Sequence, residues 1–94
     1  MFLHIGGDLV LPFRSIISIH DIRIFSDASN RAYLEQMKKD GKLIQLRDRD
    51  KEPKAAVITD DAVYLSAISS LTLKRRAGFI DDTDDKYVKE EPIQ

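Results

Sequence analysis

Basic side chains are the residues of this 94-residue sequence whose types and spacing best suit a chemical role. Lys74, Arg75 and Arg76 are consecutive in the segment SSLTLKRRAG (69–78), and three consecutive helical positions fan over about 200° of a helix surface. One or two cations near a helix C-terminus are enough to complement its dipole. The remaining charge of this cluster predicts a contact with phosphate or with a neighbouring subunit.

Further basic residues lie outside this cluster. Arg14 follows Pro12-Phe13 at the entry to a predicted strand, and the segment RDRDKEPK (47–54) carries four more cations. The three acids of that segment reduce its net charge to +1, so composition alone favours a solvated charged loop. A contact with phosphate is the alternative.

The two histidines do not form a catalytic or metal-binding pattern. His4 and His20 each lie beside isoleucine in a strand-like run, and His20 precedes Asp21. Neighbouring side chains of a strand point to opposite faces, so His20 and Asp21 cannot act as an orienting pair. No companion residue stands at metal-ligand spacing, and the sequence has no cysteine. Both histidines are therefore predicted to be structural, with no metal and no cofactor.

The remaining chemical patterns also argue against an enzyme. Gly6-Gly7 belongs to no phosphate-binding glycine motif, and a hairpin turn explains it. The paired carboxylates at 60–61, 81–82 and 84–85 fall in a predicted turn or near the C-terminus, whereas glycosidase-type pairs need a cleft. We predict no catalytic residue and no small-molecule substrate.

Length and composition set the class of protein. Ninety-four residues make one domain with a thin core, and without cysteine no disulfide can reinforce it. Oligomerisation is the remaining way to bury more surface, so self-association is predicted. The first residues lack the basic region of a signal peptide, and no apolar run approaches the roughly 18 residues that span a membrane. A cytoplasmic protein without a membrane partner is expected.

The charge is distributed unevenly along the chain. Residues 81–94 contain six acids and two lysines, a net charge of −4, so residues 1–80 carry +3 of the total of −1. This difference predicts a domain over residues 1–80 and a flexible acidic tail over 81–94. The tail is interpreted either as a plain solvated end or as a shield for a mildly basic domain.

The elements that must position these residues are read from apolar periodicity and turn residues. Isoleucine-rich and alternating runs predict strands, and capped segments with helical spacing predict helices, the first of them with an apolar stripe of Tyr33, Leu34 and Met37. The predicted strands are 2–5, 8–12, 15–25, 42–46, 55–59 and 62–66, and the predicted helices are 26–41 and 69–77. This order indicates an α+β fold with two helices on a small, mostly antiparallel sheet.

Three segments carry a resemblance to a known family. The segments FLHIGGDLVLPFRSIISI and AAVITDDAVYLSAISSLTLKRRAGF, together with the overall length, resemble the bacterial extracellular matrix regulators, most closely their RemB branch. LHIGGD, VYLS and ISS-x-TLKRR carry the match, which covers roughly residues 2–79. The resemblance implies a small oligomeric regulator of biofilm-matrix genes with a LytTR-like fold, in which basic side chains around a closed ring contact DNA.

The basic positions of this family match the present sequence unevenly. Relatives carry an arginine where Arg14 and Ser15 stand here, and an arginine pair where this sequence has Lys51-Glu52. A glutamate at a phosphate-contacting place reverses an attraction, which favours the alternative of a scaffold or partner-binding regulator that does not bind DNA. The residues predicted to contact nucleic acid are Arg14, Arg47, Arg49, Lys51, Lys54, Lys74, Arg75 and Arg76.

Overall fold

The computed structural model describes residues 1–46 and 51–79. Three short strands and a helix are followed there by three more strands and a second helix. The α+β class and the mostly antiparallel pairing are confirmed, whereas the likeness to LytTR domains stays a prediction. The elements are β1 (Phe2–Gly6), β2 (Leu9–Pro12), β3 (Ile16–Asp21), α1 (Ala28–Lys39), β4 (Leu43–Gln45), β5 (Ala55–Thr59), β6 (Val63–Ser66) and α2 (Ser70–Arg76).

The strands form a four-stranded sheet and a separate hairpin. In the sheet the order is β3-β5-β6-β4, with antiparallel pairs except between β4 and β6, which are parallel. The central strand β5 has a continuous apolar run, and Ala55, Ala56 and Val57 are fully buried. A strand that is covered on both faces reads as such a run rather than as an alternation.

Both faces of the sheet are covered by apolar residues. On one face, β1, β2 and α2 pack through Leu3, Leu11 and Leu73 against Val57 of the sheet. On the other face, half-buried Leu34 and Met37 of α1 pack against Phe25, Val63 and Leu65. Tyr33, which the sequence placed in the same stripe as Leu34 and Met37, is 40% exposed at the margin of this contact. The core is accordingly two thin layers, one on each side of the sheet.

A buried serine joins the hairpin to the sheet. The hydroxyl of Ser66 at the end of β6 donates to the carbonyl of Ile5 in β1, and the backbone N–H of Ile68 donates to Ser66 Oγ at 3.0 Å. The turn between β1 and β2 uses Gly6 and Gly7, both with positive φ, as the glycine pair predicts. The hairpin is thereby fixed on the side of the sheet that α2 also covers.

The helix ends follow the predicted capping residues. Asp27 accepts hydrogen bonds from Ser29 N and Asn30 N at the start of α1, and Ser69 accepts one from Thr72 N at the start of α2. α2 ends in a left-handed Gly78, whose N–H donates to the carbonyl of Arg75 while Phe79 N donates to Lys74 O. This pair of bonds is the Schellman arrangement, which satisfies the last carbonyls with backbone donors.

The predicted strand over 15–25 is wrong beyond Asp21. A 3₁₀ turn, Ile22–Ser26, follows β3 directly, and the carboxylate of Asp21 accepts a hydrogen bond from Arg23 N at its start. With three residues per turn, Ile22 and Phe25 come to lie on one side, where both join the core beside α1. The isoleucine-rich composition concealed this local cap, because β propensity is weaker than a hydrogen-bonded turn supported by packing.

Candidate nucleic-acid interface

Arg14 lies at one end of the sheet. It is exposed in a 3₁₀ turn, Phe13–Ser15, between β2 and β3. Ile16, two residues later, is paired with Thr59 beside the tight turn at Asp60-Asp61. Arg14 also borders a cavity of about 480 Å³ whose other lining residues are Met1, Phe2, Pro12 and Phe13. The arginine therefore stands beside an apolar surface at the turn end of β5 and β6.

Lys54 lies at the opposite end of the same sheet. Asp21, the last residue of β3, pairs with Ala55, the residue after Lys54. The six residues of β3 rise about 3.4 Å each, so roughly 17 Å separate the strand's ends. Lys51 and Lys54 are both exposed. Arg14 and Lys54 thus lie at opposite ends of the sheet in a single subunit.

Lys74 belongs to the same end as Lys54. Burial, and after it the positive charge of Lys74, lowers the pKa of His20 below its ordinary value of 6.5. Hydrogen bonds from the side chain and then the backbone of Arg23 lower the pKa of Asp21, to which Lys74 adds a smaller electrostatic effect. α2 packs against β3, so Lys74 is within electrostatic range of the C-terminal end of that strand. His20 Nε2 lies 3.0 Å from Ser18 Oγ at the same end.

Arg75 and Arg76 occupy the last turn of α2. Arg76 is exposed and Arg75 is half-buried. Because Gly78 N and Phe79 N already bond the carbonyls of Arg75 and Lys74, the helix does not need these side chains to cap its last carbonyls. A cation that complements the helix dipole contributes about 0.3–1 kcal/mol.

Arg23 is a cation of this end that the sequence patterns did not single out. Its Nε and Nη2 donate to Asp21 Oδ1 and Oδ2 at 3.0 and 2.8 Å. Arg23, Lys54 and Ser69 are lining residues of a cleft of about 210 Å³, together with Asp21, Ile22 and Pro53. The spacing Asp-x-Arg after a strand is the signal that indicates such a turn, since an Asp carboxylate readily accepts the N–H two residues on.

Several predicted features lie outside the described residues. Arg47, Arg49 and the acidic tail 81–94 are not among residues 1–46 and 51–79, so their predictions stay predictions. Within those two ranges no group of three or more histidine or acidic side chains is placed to hold a metal ion. No helix there has the length and apolar character that crossing a bilayer requires.

Comparisons with known proteins agree with the segments that carry the resemblance. The family profile RemA-like, described as Extracellular matrix regulatory protein A-like, matches residues 2–77. The chain is also 33% identical over 84 residues to Extracellular matrix regulatory protein B of Bacillus subtilis (strain 168). That alignment covers 89% of this chain and 99% of the relative. The similarity therefore extends through both ends of the sheet and both helices.

Proposed function

Because the chain belongs to the RemA-like family of extracellular matrix regulatory proteins, we propose that it is an oligomeric, DNA-associated transcription regulator. In this proposal the subunits form a ring, and basic side chains repeated around it contact the DNA backbone. The observation that carries the proposal is the grouping of Lys54 and Lys74 around Asp21 at one end of the sheet. Both lysines belong to or adjoin packed elements, so their positions repeat in every subunit.

A ring of subunits would make more phosphate contacts than a single subunit can. A single chain offers few cations on each end, and each phosphate that a lysine or arginine neutralises adds a salt-dependent increment of affinity. A ring multiplies the number of simultaneous contacts without any new type of side chain. Recognition would depend mainly on backbone position and DNA shape, since phosphate contacts carry no base information.

The outer face of the β1–β2 hairpin supports self-association. Leu3 and Leu11 face the core as cross-strand partners, so Phe2, His4 and Val10 lie on the opposite face. Phe2 is 67% exposed and Val10 50% exposed, next to a Met1 that is 90% exposed. A contiguous apolar surface of this kind on a small protein is typical of an interface, and a second copy of this chain is its proposed occupant.

One set of variants tests the DNA role, through the melting temperature, the particle mass and the DNA affinity. Lys74→Ala and Arg76→Ala are compared with Lys39→Ala, which removes the same charge from the end of α1, on the other face of the sheet. We expect Lys74→Ala and Arg76→Ala to weaken duplex binding while the mass stays at the wild-type value and the melting temperature falls no more than in Lys39→Ala. If stability or assembly falls while affinity per particle is unchanged, the cluster serves the fold and not DNA.

The mass of the native particle tests the assembly. Light scattering at micromolar concentration should give a multiple of 10.7 kDa. A mass of one chain at every concentration would remove the ring. Phe2→Ser should shift the particle toward smaller masses, because it removes apolar surface from the proposed contact, and Tyr33→Ser, on the far side of the sheet, is its control.

A second candidate function is supported by Glu52. This glutamate is exposed, two residues before Lys54, and repels phosphate at a basic end. A regulator that binds a protein partner would retain the fold and the apolar hairpin face without needing DNA. Absence of salt-sensitive binding to any duplex or to heparin, with the oligomer intact, would favour this alternative.

A further inference from the structure

The cleft between β3 and the start of β5 has the chemistry of an anion site. It is open to solvent and has a volume of about 210 Å³, and its lining residues are Asp21, Ile22, Arg23, Pro53, Lys54 and Ser69. Arg23 and Lys54 bring two positive charges, Lys74 adds a third within electrostatic reach of Asp21, and Asp21 removes one. The surplus of positive charge selects an anion over a cation.

Arg23 is held in a fixed orientation. Asp21 accepts from its backbone N–H at 2.8 Å and from its Nε and Nη2, so both carboxylate oxygens are engaged by one arginine. A guanidinium has five N–H donors in a rigid plane, and this pair uses two of them. The side chain of Arg23 is 87% exposed, so the remaining donors face solvent. An exposed ion pair of this kind contributes little to stability, and its effect is to orient the guanidinium.

The position of Lys54 is fixed by its backbone. Its N–H donates to the carbonyl of Ser66 at 2.7 Å, and its own carbonyl accepts from Ile22 N at 3.0 Å. Backbone hydrogen bonds thus connect Lys54 to the end of β6 on one side and to the 3₁₀ turn after β3 on the other. The lysine side chain starts from a fixed point while its ammonium remains in solvent.

From this geometry we propose that Arg23 and Lys54 bind one phosphate group of the nucleic-acid backbone in this cleft, an inference that rests on the proposed DNA association. Arginine suits phosphate because its planar fork offers two parallel donors, and lysine adds a point charge. The cleft has room for several waters, each of which occupies about 30 Å³ in the liquid. The phosphate therefore keeps part of its hydration, and the contact is dominated by charge.

The test measures binding of the full-length protein to a 30-base-pair duplex at several salt concentrations. Arg23→Ala should lower affinity and reduce the slope of log affinity against log salt by about one unit. The ratio of wild-type affinity to Arg23→Ala affinity should therefore fall about threefold between 50 and 200 mM salt. Arg23→Lys keeps the charge but not the fork, so we expect the wild-type slope with an intermediate affinity. Lys39→Ala, with the same loss of charge at the far end of α1, is the control.

Three results separate this inference from the proposed function. If the wild-type protein binds no duplex, the DNA association itself is wrong and this assignment falls with it. If the wild type binds and Arg23→Ala matches Lys39→Ala in affinity and slope, only the cleft assignment is wrong. As an independent readout, titration with duplex should shift the Arg23 Nε–H and Lys54 amide resonances. Shifts with inorganic phosphate and none with duplex would make this a site for a free anion and overturn the assignment.

Discussion

Asp21 combines several tasks in a single carboxylate. It is the last residue of β3, it caps the 3₁₀ turn through Arg23 N, and it orients the Arg23 guanidinium. The hydrogen bonds from Arg23 lower its pKa from the ordinary 3.8. A carboxyl with a lowered pKa in the fold contributes stability above its ordinary pKa, and this contribution is lost as pH falls through the folded value. The orientation of Arg23 therefore persists at neutral pH.

His20 gives the fold a dependence on pH in the mildly acidic range. Burial, and then Lys74, lowers its pKa below 6.5, so the unfolded chain binds a proton before the folded one does. The free energy of unfolding should therefore decrease as pH falls below about 6.5, until the folded histidine is also protonated. Melting temperatures from pH 8 to 5 measure this.

Two variants identify the source of that pH dependence. His20→Asn should remove most of the decrease between pH 6.5 and 5. Lys74→Ala removes the nearby positive charge but leaves His20 buried. The loss of unfolding free energy between pH 6.5 and 5 should therefore become smaller without vanishing. An unchanged decrease in His20→Asn would show that another group is responsible.

Ser66 is the residue on which the attachment of the hairpin depends most. It is fully buried, and its hydroxyl donates to Ile5 O and accepts from Ile68 N. Ser66→Ala leaves both backbone groups without this partner, which we expect to lower the free energy of unfolding by about 1–3 kcal/mol. Chemical denaturation measures the change. Ser70→Ala in the first turn of α2 is the matched control, and a loss in Ser66→Ala no larger than in the control would contradict this role.

At the scale of elements, both helices end in the same way. Gly41 N and Lys42 N donate to the carbonyls of Lys38 and Met37 at the end of α1, as Gly78 and Phe79 do for α2. Gly41 and Gly78 have φ of 71° and 80°. Backbone donors thus satisfy carbonyls at both C-termini, so this capping does not depend on the lysine and arginine side chains of the last turns.

Gly78→Ala tests this capping. A Cβ at Gly78 would meet no heavy atom within 4 Å, so the cost is backbone strain alone, about 1 kcal/mol. For a domain of this size the melting temperature should fall by roughly 4–8 °C. A Cβ at Gly41 would also meet no heavy atom within 4 Å, so Gly41→Ala should lower the melting temperature by a similar amount. A fall in Gly78→Ala much beyond that of Gly41→Ala would mean that α2 depends on more than its cap.

The elements were largely predictable because their signals are local. Asp27 and Ser69 are caps read from residue type, Gly41 and Gly78 are stops, and the turn at Asp60-Asp61 closes between β5 and β6. The 3₁₀ turn after β3 was missed because isoleucines at 22 and 24 alternate as they would in a strand. The Asp21 side chain and the packing of Phe25 decided the conformation there.

The candidate site was only partly predictable because it depends on pairing between distant segments. The sequence predicts nucleic-acid contacts for both Arg14 and Lys54 but does not show how the two residues are placed relative to each other. The antiparallel register, Ile16 with Thr59 and Asp21 with Ala55, separates them along β3. The same register brings Arg23 near Lys54, and no local pattern reports a contact between residues more than 30 positions apart in the chain.

At the scale of the whole molecule, Arg14 and Lys54 lie at opposite ends of one sheet. Their separation of roughly 17 Å along β3 exceeds the Debye length of about 8 Å at physiological ionic strength. Arg14→Ala and Lys54→Ala should therefore have additive effects on the free energy of DNA binding, and the double variant should lose about two units of salt slope. Anisotropy titrations of the two single variants and the double variant measure this. Strong non-additivity would mean that assembly brings both residues to one phosphate.

The strand order has a consequence for how the chain folds. β5 and β6 are joined by a two-residue turn in which Thr59 N donates to Ala62 O, and hairpins of this kind form in about 1–10 μs. β3 reaches β5 only after the chain between Asp21 and Ala55 has closed, which costs entropy before any contact is gained. Destabilising changes at Thr59 should therefore slow refolding, whereas Ile19→Val in β3 should mainly speed unfolding. Stopped-flow refolding and unfolding rates distinguish the two cases.

The cost of loop closure predicts that β3 docks after the β5–β6 hairpin has formed, so the charged cleft should be assembled only at that later step. Asp21 and Arg23 come early in the chain, but Lys54 faces them only when β3 has joined β5. A chain still emerging from the ribosome, or one that has opened locally at this edge strand, therefore carries the basic residues without the arrangement that would hold a phosphate. If the cleft binds phosphate as proposed, this contact depends on the docked β3, and partly folded copies should bind the same ligand more weakly.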